Sequence, residues 1–307
     1  MDTFSRCLNR VFLVLCLFVG GGIVTTSLAG PESLPDYSKG KNPVIEETAP
    51  VCDPRWYISL GGGLDVDLGG TDLTHNFDRD FTSIFFIFGV ASRAEMQSHD
   101  WNDVYDDAWR IQGEVGYALT QHLEVFGLFK YAHADATNRT SGDRLLLTLF
   151  GPTAVYNLRS DFGDYDAFGG ELGFRFYFTP RASHIRPYVS VSGGATHVDS
   201  IDISTTANRV GSGAPDFLVY RGGFFNDSWV GAGTALLGVE FIVACHWAIG
   251  VNGGVHYETR LDQNDSDFKD FASFGATGVP LRAFRDANND SGDRWTAPVT
   301  GYVKFRF

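Results

Sequence analysis

Apolar and polar residues alternate along the nine residues from Val299 to Phe307. A period of two is typical of a β-strand with two different faces. The apolar face is formed by Val299, Gly301, Val303, Phe305 and Phe307, and the polar face by Thr300, Tyr302, Lys304 and Arg306. An apolar strand with an unpaired edge promotes aggregation. We therefore predict that this strand pairs with the first strand of the chain and closes the sheet into a barrel.

Seven further segments show the same alternation. They begin near Trp56, Trp109, Leu123, Phe168, Tyr188, Trp229 and Trp247. Short turns alternate with long polar segments, which cover about residues 68–108, 134–165, 199–228 and 259–296. Long outer loops and short periplasmic turns are typical of bacterial outer-membrane barrels. The pattern predicts an all-β fold, namely an eight-stranded antiparallel up-and-down transmembrane β-barrel with both termini on the periplasmic side.

The chain divides into three predicted segments. Residues 1–29 resemble a secretory signal peptide, since Arg6 and Arg10 precede an apolar run and small residues precede Gly30. The alternative is a membrane anchor helix. Residues 30–55 contain five prolines among charges and are expected to form an extended periplasmic linker. Residues 56–307 form the predicted barrel, within which the apolar stretch Ile84–Val90 fits loop packing, a short helix or an extra strand equally well.

Composition agrees with a barrel but does not require one. The mean hydropathy of -0.08 is too polar for a helical membrane protein. The 36 glycines and the aromatic fraction of 14% suit a curved sheet with aromatic girdles, although a soluble β-sandwich is also glycine-rich. Aromatic residues lie near predicted strand ends, where interfacial girdles belong: Trp56, Trp109, Tyr131, Phe178, Trp229, Trp247 and Tyr257.

Charged residues on the polar faces of the strands form the main candidate site. They are Arg110, Glu114, Glu124, Lys130, Glu171, Arg175, Glu240, Lys304 and Arg306. This set is close to neutral, although the whole chain has a formal net charge of -13, which argues against nucleic-acid binding. An eight-stranded barrel is just wide enough for side chains to fill it. We therefore predict an ion-paired plug, with a gated or narrow ion pathway as the alternative.

Catalytic and metal-binding patterns are weak. The eight histidines show no His-x-His or His-Glu-x-x-His spacing, and only His197 with Ser200, or His256 with Glu258, offers an enzyme-like combination. We expect no enzyme and no cofactor, except that Asp286, Asn288, Asp290 and Asp293 form a weak calcium candidate. No glutamate closes that site, and such residues are common in solvated loops.

Two cysteines belong to the predicted mature chain. Cys7 and Cys16 would leave with the signal peptide. Cys52 precedes the first strand, and Cys245 lies in a predicted periplasmic turn. An oxidising compartment permits a Cys52–Cys245 disulfide, but only if the two Cα atoms lie within about 7 Å. The pairing is left open.

The export signal, the eight strands and the closing sequence Tyr302 to Phe307 resemble the small OmpA/OmpW-type outer-membrane β-barrel proteins. The resemblance covers about residues 56–307 and implies an assembly signal at Tyr302, Phe305 and Phe307, read by the outer-membrane assembly machinery. It implies contact with periplasmic chaperones, outer-membrane lipids and lipopolysaccharide, and a monomeric, porin-like barrel. Larger relatives carry a peptidoglycan-binding domain after the barrel, which this sequence does not show.

Three functional classes follow from these observations. The leading hypothesis is a non-enzymatic barrel of the bacterial cell envelope with a structural or surface-interaction role. The second is a narrow channel or porin for ions or small solutes. The third is a barrel-type lipid-modifying enzyme, with functional groups near the outer rim.

Overall fold

The computed structural model describes residues 54–69, 72–82, 91–137, 140–148, 153–211, 213, 215–264, 269–270 and 289–307. The predicted signal peptide, nearly all of the linker and the stretch Ile84–Val90 lie outside these residues. The described part contains one short helix, α1 (Trp101–Val104), and strands β1 (Trp56–Asp67), β2 (Asp72–Thr74), β3 (Phe77–Thr82), β4 (Ala91–Met96), β5 (His99–Asp100), β6 (Ala108–Ala118), β7 (Leu123–Ala134), β8 (Thr140–Thr148), β9 (Ala154–Phe162), β10 (Tyr165–Tyr177), β11 (Ile185–Val198), β12 (Ile201–Arg209), β13 (Phe217–Phe225), β14 (Ser228–Ala244), β15 (Trp247–Glu258), β16 (Lys269–Asp270) and β17 (Arg294–Arg306).

Eight long strands close into an up-and-down barrel. Going round the barrel, their order is β1, β17, β15, β14, β11, β10, β7 and β6, and all adjacent pairs are antiparallel. β1 and β17 pair from Tyr57 opposite Arg306 to Asp67 opposite Thr296. The backbone groups of Trp56 and Phe307 exchange two further hydrogen bonds, at 3.1 and 2.9 Å. The predicted eight-stranded barrel and its closing strand are therefore confirmed.

The outer surface of the barrel is an uncharged apolar belt. Side chains such as Leu60, Leu172 and Val303 point outwards and are exposed. Two aromatic girdles bound the belt, with pairs such as Trp109–Tyr131 and Tyr257–Trp295 at one end and Trp56–Tyr117 and Trp247–Phe305 at the other. Between the girdles, the outward positions of the described strands carry no charged side chain. Such a belt is the surface that hydrocarbon solvates.

Tyrosines pack across the inner wall onto glycines of neighbouring strands. A Cβ atom at Gly116 would lie 2.2 Å from Cζ of Tyr57, and one at Gly250 would lie 2.3 Å from Cζ of Tyr302. These two positions leave no room for a side chain, because the rings lie directly on the backbone. The glycines therefore let large polar side chains fit into a narrow interior.

The segments predicted as long loops contain further strands, and this is a correction. β16, β13, β12, β9, β8, β4 and β3 form a seven-stranded sheet in that order, and β2 pairs with β5. We call β2–β5, α1, β8, β9, β12, β13 and β16 the loop tier. The barrel end that joins it is the loop end, and the opposite end is the turn end. The prediction was wrong because the loop tier is rich in Asp, Asn and Thr, a composition also typical of solvated loops.

The loop tier has its own apolar core. The core includes Trp101, Phe162, Ile203, Phe224 and Phe225, all buried. Tyr105 also belongs to it and donates a hydrogen bond to the carbonyl of Gly163 at 2.9 Å. Burial raises the pKa of Tyr105 above its ordinary value. Burial of these apolar side chains stabilises the folded loop tier.

None of the helices in the described residues is long and apolar enough to cross a membrane.

Candidate functional site: the ion-paired barrel interior

Six charged side chains from five strands and the closing strand meet in the half of the interior nearest the turn end. We call Glu114, Glu124, Arg175, Arg186, Glu240 and Lys304 the turn-end network. Both terminal nitrogens of Arg175 donate to the two carboxylate oxygens of Glu114, each at 2.8 Å. The two residues are 61 positions apart in sequence and nearly fully buried. A buried bidentate pair of this kind is both strong and geometrically specific.

Lys304 completes the turn-end network. Its ammonium lies 2.9 Å from a Glu124 oxygen and 2.8 Å from a Glu240 oxygen. Arg186 lies 3.1 Å from the other oxygen of Glu240. The Tyr177 hydroxyl bridges the same two glutamates, at 3.2 and 2.9 Å. Three carboxylates thus face three cations, so the network is neutral.

Aromatic rings cover the cations of this network. The guanidinium carbon of Arg186 lies 3.5 Å from the ring centre of Tyr177. The Lys304 ammonium lies 3.8 Å from the ring centre of Tyr57. Cation–π contacts of this kind are most favourable where water is excluded. They hold these two side chains in place within the barrel interior.

A second group of charges lies nearer the loop end. We call Asp67, Lys130, Glu171, His256, Glu258 and Arg294 the loop-end network. Lys130 lies 3.2 Å from Glu171 and 3.4 Å from Glu258, and Arg294 lies 3.4 Å from Asp67 and 3.8 Å from Glu258. Beside this network, Arg110 pairs with Asp65 at 2.8 Å. The two networks follow each other along the barrel axis, and β7, β10 and β17 each contribute inward side chains to both.

Eight of the nine residues predicted for the interior charge set make ion pairs: Arg110, Glu114, Glu124, Lys130, Glu171, Arg175, Glu240 and Lys304. The ninth, Arg306, is 5% exposed and has no ion-pair partner within the described residues. Its Nε also lacks a hydrogen-bond partner there. The sequence alternation placed all nine side chains on the inward face, but it gave no information about their partners.

Several interior charges were missed. Arg186 precedes the predicted strand start near Tyr188, and Arg294 falls in the predicted polar segment 259–296, whereas β11 begins at Ile185 and β17 at Arg294. Asp65, Asp67, His256 and Glu258 were also not included in the predicted charge set. The signal that could have found Arg294 is the alternation itself, since Arg294, Thr296 and Pro298 continue the inward positions of the closing strand.

With the missed residues included, the described interior contains seven carboxylates and seven cations. The carboxylates are those of Asp65, Asp67, Glu114, Glu124, Glu171, Glu240 and Glu258, and the cations those of Arg110, Lys130, Arg175, Arg186, Arg294, Lys304 and Arg306. Removing one partner of a buried pair costs about 3–5 kcal/mol, because the remaining charge stays in a medium of low polarity. Replacement of any one partner of these buried pairs should therefore destabilise the barrel.

Apolar residues close the interior at the loop end. Five barrel strands contribute six inward side chains to the loop-tier core: Ala108, Ala134, Tyr165, Ala167, Val198 and Val230. Trp101 and Tyr165 also enclose the guanidinium of Arg294, whose carbon lies 4.6 and 4.3 Å from their ring centres. The polar interior therefore ends against packed side chains at this end.

The three residues predicted to form an assembly signal have different environments. Tyr302 is buried in the barrel interior, with Tyr177 and Tyr188 in the same cluster. Phe305 faces outwards and packs against Trp247, with ring centres 4.9 Å apart. Phe307 is 55% exposed at the turn end. Only the two phenylalanines therefore present aromatic surface to the outside of the barrel.

The remaining candidate sites are only partly described. Cys245 is disulfide-bonded, and the other three cysteines lie outside the described residues, so the pairing with Cys52 stays a prediction. Asp286 and Asn288 of the calcium candidate also lie outside them. Of its other two residues, Asp293 accepts hydrogen bonds from the Tyr257 hydroxyl and the Arg260 amide, and Asp290 lies 4.0 Å from Arg260. No cluster of three or more metal-binding side chains occurs in the part of the chain that is described.

A closed sheet with an uncharged apolar belt, two aromatic girdles and an ion-paired interior defines a membrane-spanning β-barrel of the outer-membrane type. No protein-family model and no curated protein sequence matches the chain. Among solved structures, the chain is similar to Neisserial surface protein A (NspA), with 8% identity, 82% of this chain and 97% of that chain covered, and a TM-score of 0.37.

The chain is also similar to the outer membrane protein OprG from Pseudomonas aeruginosa, with 12% identity, 83% and 96% of the two chains covered, and a TM-score of 0.36. A third similarity is to CymD, a monoaromatic hydrocarbon channel, with 13% identity, 83% and 72% coverage, and a TM-score of 0.30. These identities and TM-scores are low. The functional assignment therefore depends on the geometry of this chain.

Proposed function

We propose that this protein is a non-enzymatic, non-conducting barrel of the bacterial outer membrane that holds the loop tier at the cell surface. The observation that carries the proposal is that the barrel interior is closed in two ways. Two stacked networks of buried ion pairs cross the barrel, and a packed apolar core covers the loop end. An ion crossing this path would have to separate paired charges in a medium of low polarity.

The orientation follows from the same geometry. Long outer segments and short periplasmic turns are the usual arrangement of outer-membrane barrels. The loop tier then faces outwards, both ends of the barrel domain are periplasmic, and Phe305 and Phe307 are available to the assembly machinery and its chaperones. In this orientation the aspartates at the loop end lie beside lipid and lipopolysaccharide headgroups, where divalent cations could bridge them. A monomer suffices for the barrel, because its closed sheet leaves no unpaired edge.

Planar-bilayer recordings test the central claim. The wild-type barrel should give no conductance steps, and neither should Glu114→Gln, which removes one charge but keeps the size of the side chain. Steps from the folded wild-type barrel would overturn the proposal. Heat-modifiable migration in cold SDS checks folding of each preparation, since closed barrels migrate differently before and after boiling.

A narrow channel is the second candidate, and one specific observation favours it. Thr296, Thr300 and Asn252 are buried, yet each has a side-chain oxygen with no hydrogen-bond partner in the described residues. Such groups are usually satisfied by water, and water between the ion pairs would complete these hydrogen bonds. Under this hypothesis, Arg175→Gln should open a measurable conductance, whereas under the leading proposal it should only destabilise the barrel.

A lipid-modifying enzyme is the third candidate class. His256 and Glu258 lie 3.1 Å apart, but both are buried in the loop-end network and are not at the outer rim. Mass spectrometry of envelope lipids from cells with and without the protein should show identical species. A protein-dependent lipid product would contradict the non-enzymatic assignment.

A further inference from the structure

Arg306 is a buried cation at the turn end of the barrel that has no ion-pair partner within the described residues. It is the last inward residue of β17 and is 5% exposed. Its backbone is held on both sides, because it pairs with Tyr57 of β1 and its amide donates to the carbonyl of His246 at 2.8 Å. The side chain therefore starts from a fixed position at the turn-end mouth of the interior.

The interior as a whole is neutral, but its surplus charges lie in opposite halves. Near the turn end, the three carboxylates of the turn-end network face four cations, namely Arg175, Arg186, Lys304 and Arg306. Near the loop end, three cations face four carboxylates, those of Asp65, Asp67, Glu171 and Glu258. Arg294, which contacts two of these acids, is separated from Arg306 by about 40 Å of extended strand. Attraction between charges weakens with distance, so the surplus acid of the loop end does not serve as the partner of Arg306.

The unmatched hydrogen-bonding atoms of the four turn-end cations and their carboxylates are all donors. Nε of Arg306, Nε and Nη2 of Arg186 and Nε of Arg175 are buried and have no hydrogen-bond partner in the described residues. The three carboxylates of the network already accept from Arg175, Arg186 or Lys304. Guanidinium groups only donate hydrogen bonds. The missing partner is therefore an acceptor that carries negative charge.

The turns at this end do not supply it. The described residues 119–122, 178–184 and 245–246 contain no Asp or Glu, although the whole chain has a formal net charge of -13. Next to Arg306, His246 and Phe307 are exposed, so solution reaches the mouth of the interior. A counter-ion for Arg306 has an open route from this side.

We propose that Arg306 is the centre of a binding site for a small oxyanion of the phosphate or carboxylate class. A guanidinium presents paired N–H groups that match two oxygens of such an ion. The ion has to be small, because so little of Arg306 is exposed. Binding would neutralise the surplus cation at the turn end and stabilise the folded barrel by mass action. The site goes beyond the proposed function, since an anion at the mouth is compatible with a conducting or a closed barrel.

Nitrogen-15 NMR of the full-length protein, labelled at arginine and folded in uncharged detergent micelles, tests the site with inorganic phosphate. The Nε–H signal of Arg306 should shift and saturate at millimolar phosphate, whereas sodium chloride of the same ionic strength should leave it in place. No shift with phosphate, or the same shift with chloride, would overturn the proposal. The measurement does not involve conductance, so its failure and the failure of the proposed function are distinguishable.

Variants assign the signal and test the partner. Arg306→Gln should remove the signal and also the stabilisation that phosphate gives the wild type in urea titration. Arg93→Gln, which removes the same charge from the exposed face of the loop tier, should keep both. A loss of stability in Arg306→Gln as large as that in Arg175→Met, measured without phosphate, would mean that Arg306 has a partner within the chain and would contradict the proposal.

A conservative variant keeps the test decisive if Arg306→Gln does not fold. Arg306→Lys retains the charge but lacks the paired N–H groups of a guanidinium. It should therefore need more phosphate than the wild type for the same stabilisation. An unchanged phosphate requirement would show that the guanidinium of Arg306 does not bind the ion.

Discussion

The barrel and the loop tier are built from the same alternating strands but turn opposite faces inwards. In β11, Arg186, Tyr188 and Ser190 point inwards, while Val189 and Val191 face outwards. In β12, which follows after only two residues, the inward residues include Ile201 and Ile203 and the outward ones Asp202 and Ser204. In both regions the period of two identifies a strand. Whether the apolar residues face inwards or outwards depends on the medium outside the sheet, which is hydrocarbon for the barrel and water for the loop tier.

The same contrast applies to ion pairs. Arg175 and Glu114 in the barrel and Arg93 and Asp78 in the loop tier are both bidentate arginine–carboxylate pairs, with distances of 2.8 and 2.8 Å and of 3.0 and 2.8 Å. The barrel pair is buried, whereas the side chains of Arg93 and Asp78 are 46% and 53% exposed. The two pairs have similar geometry, but loss of the buried pair should lower the free energy of unfolding more than loss of the exposed pair.

The largest effect is expected from breaking the buried pair. Arg175→Met should cost about 3–5 kcal/mol, because Glu114 keeps its charge in the interior without its main partner. Urea titration of the folded fraction, followed by gel migration without boiling, measures the change. Adding Glu114→Gln to Arg175→Met should recover part of the loss, and a double variant as unstable as the sum of the single variants would contradict the coupling.

A cavity in the loop-tier core should come next. Ile203→Ala is expected to cost about 2–5 kcal/mol within the tier, since Ile203 is 3% exposed in its core. The barrel has its own interior contacts and should stay resistant to SDS. Limited proteolysis should therefore cleave β12 and its neighbours faster than in the wild type. Loss of the SDS-resistant barrel in the same variant would show that the two regions fold as one unit.

A third experiment places the same charge on both outer surfaces. Leu172→Arg, on an outward side chain that is 77% exposed in the middle of the belt, should cost about 2–4 kcal/mol in lipid. Ser204→Arg, on the outward face of the loop tier, should change stability by no more than about 0.5 kcal/mol. The free energy of unfolding of both variants and of the wild type, measured in lipid vesicles, tests these two values. Equal tolerance at both positions would mean that the belt is not in contact with hydrocarbon.

The smallest effect is expected at the exposed pair. Arg93→Gln should change the unfolding free energy by about 0.5 kcal/mol or less, because water screens both side chains. The same urea titration gives the value, and Arg175→Met provides the reference at the other extreme. A loss at Arg93 as large as that at Arg175 would refute burial as the cause of the difference.

The sequence predicts the barrel well because a long alternating strand carries its own signal. The inward position of Glu114 and Arg175 follows from counting in steps of two, and the pairing of β1 with β17 follows from the need to cover an apolar edge strand. The identity of the partners does not, since Arg175 reaches a residue 61 positions away across the barrel. Contacts between distant strands depend on shear and side-chain length, which local periodicity does not contain.

Strand ends and the loop tier were harder to predict for a different reason. Arg186 and Arg294 lie where an alternating strand runs into polar sequence, so both fall before the predicted starts of their strands. In β12 the alternation is present, but its apolar members are few and separated by Thr and Asp. β12 has only nine residues and its apolar face points inwards, so its sequence alone resembles a solvated loop.

The position of Lys304 has a consequence for biogenesis. It neutralises Glu124, 180 residues earlier, and Glu240, 64 residues earlier, and it lies on the strand that closes the sheet. Until that strand docks, the two acids lack this shared ammonium and keep only arginine partners, with Arg186 3.7 Å from Glu124 and 3.1 Å from Glu240. We therefore expect the last seam of the sheet and the last ion pairs of the turn-end network to form together.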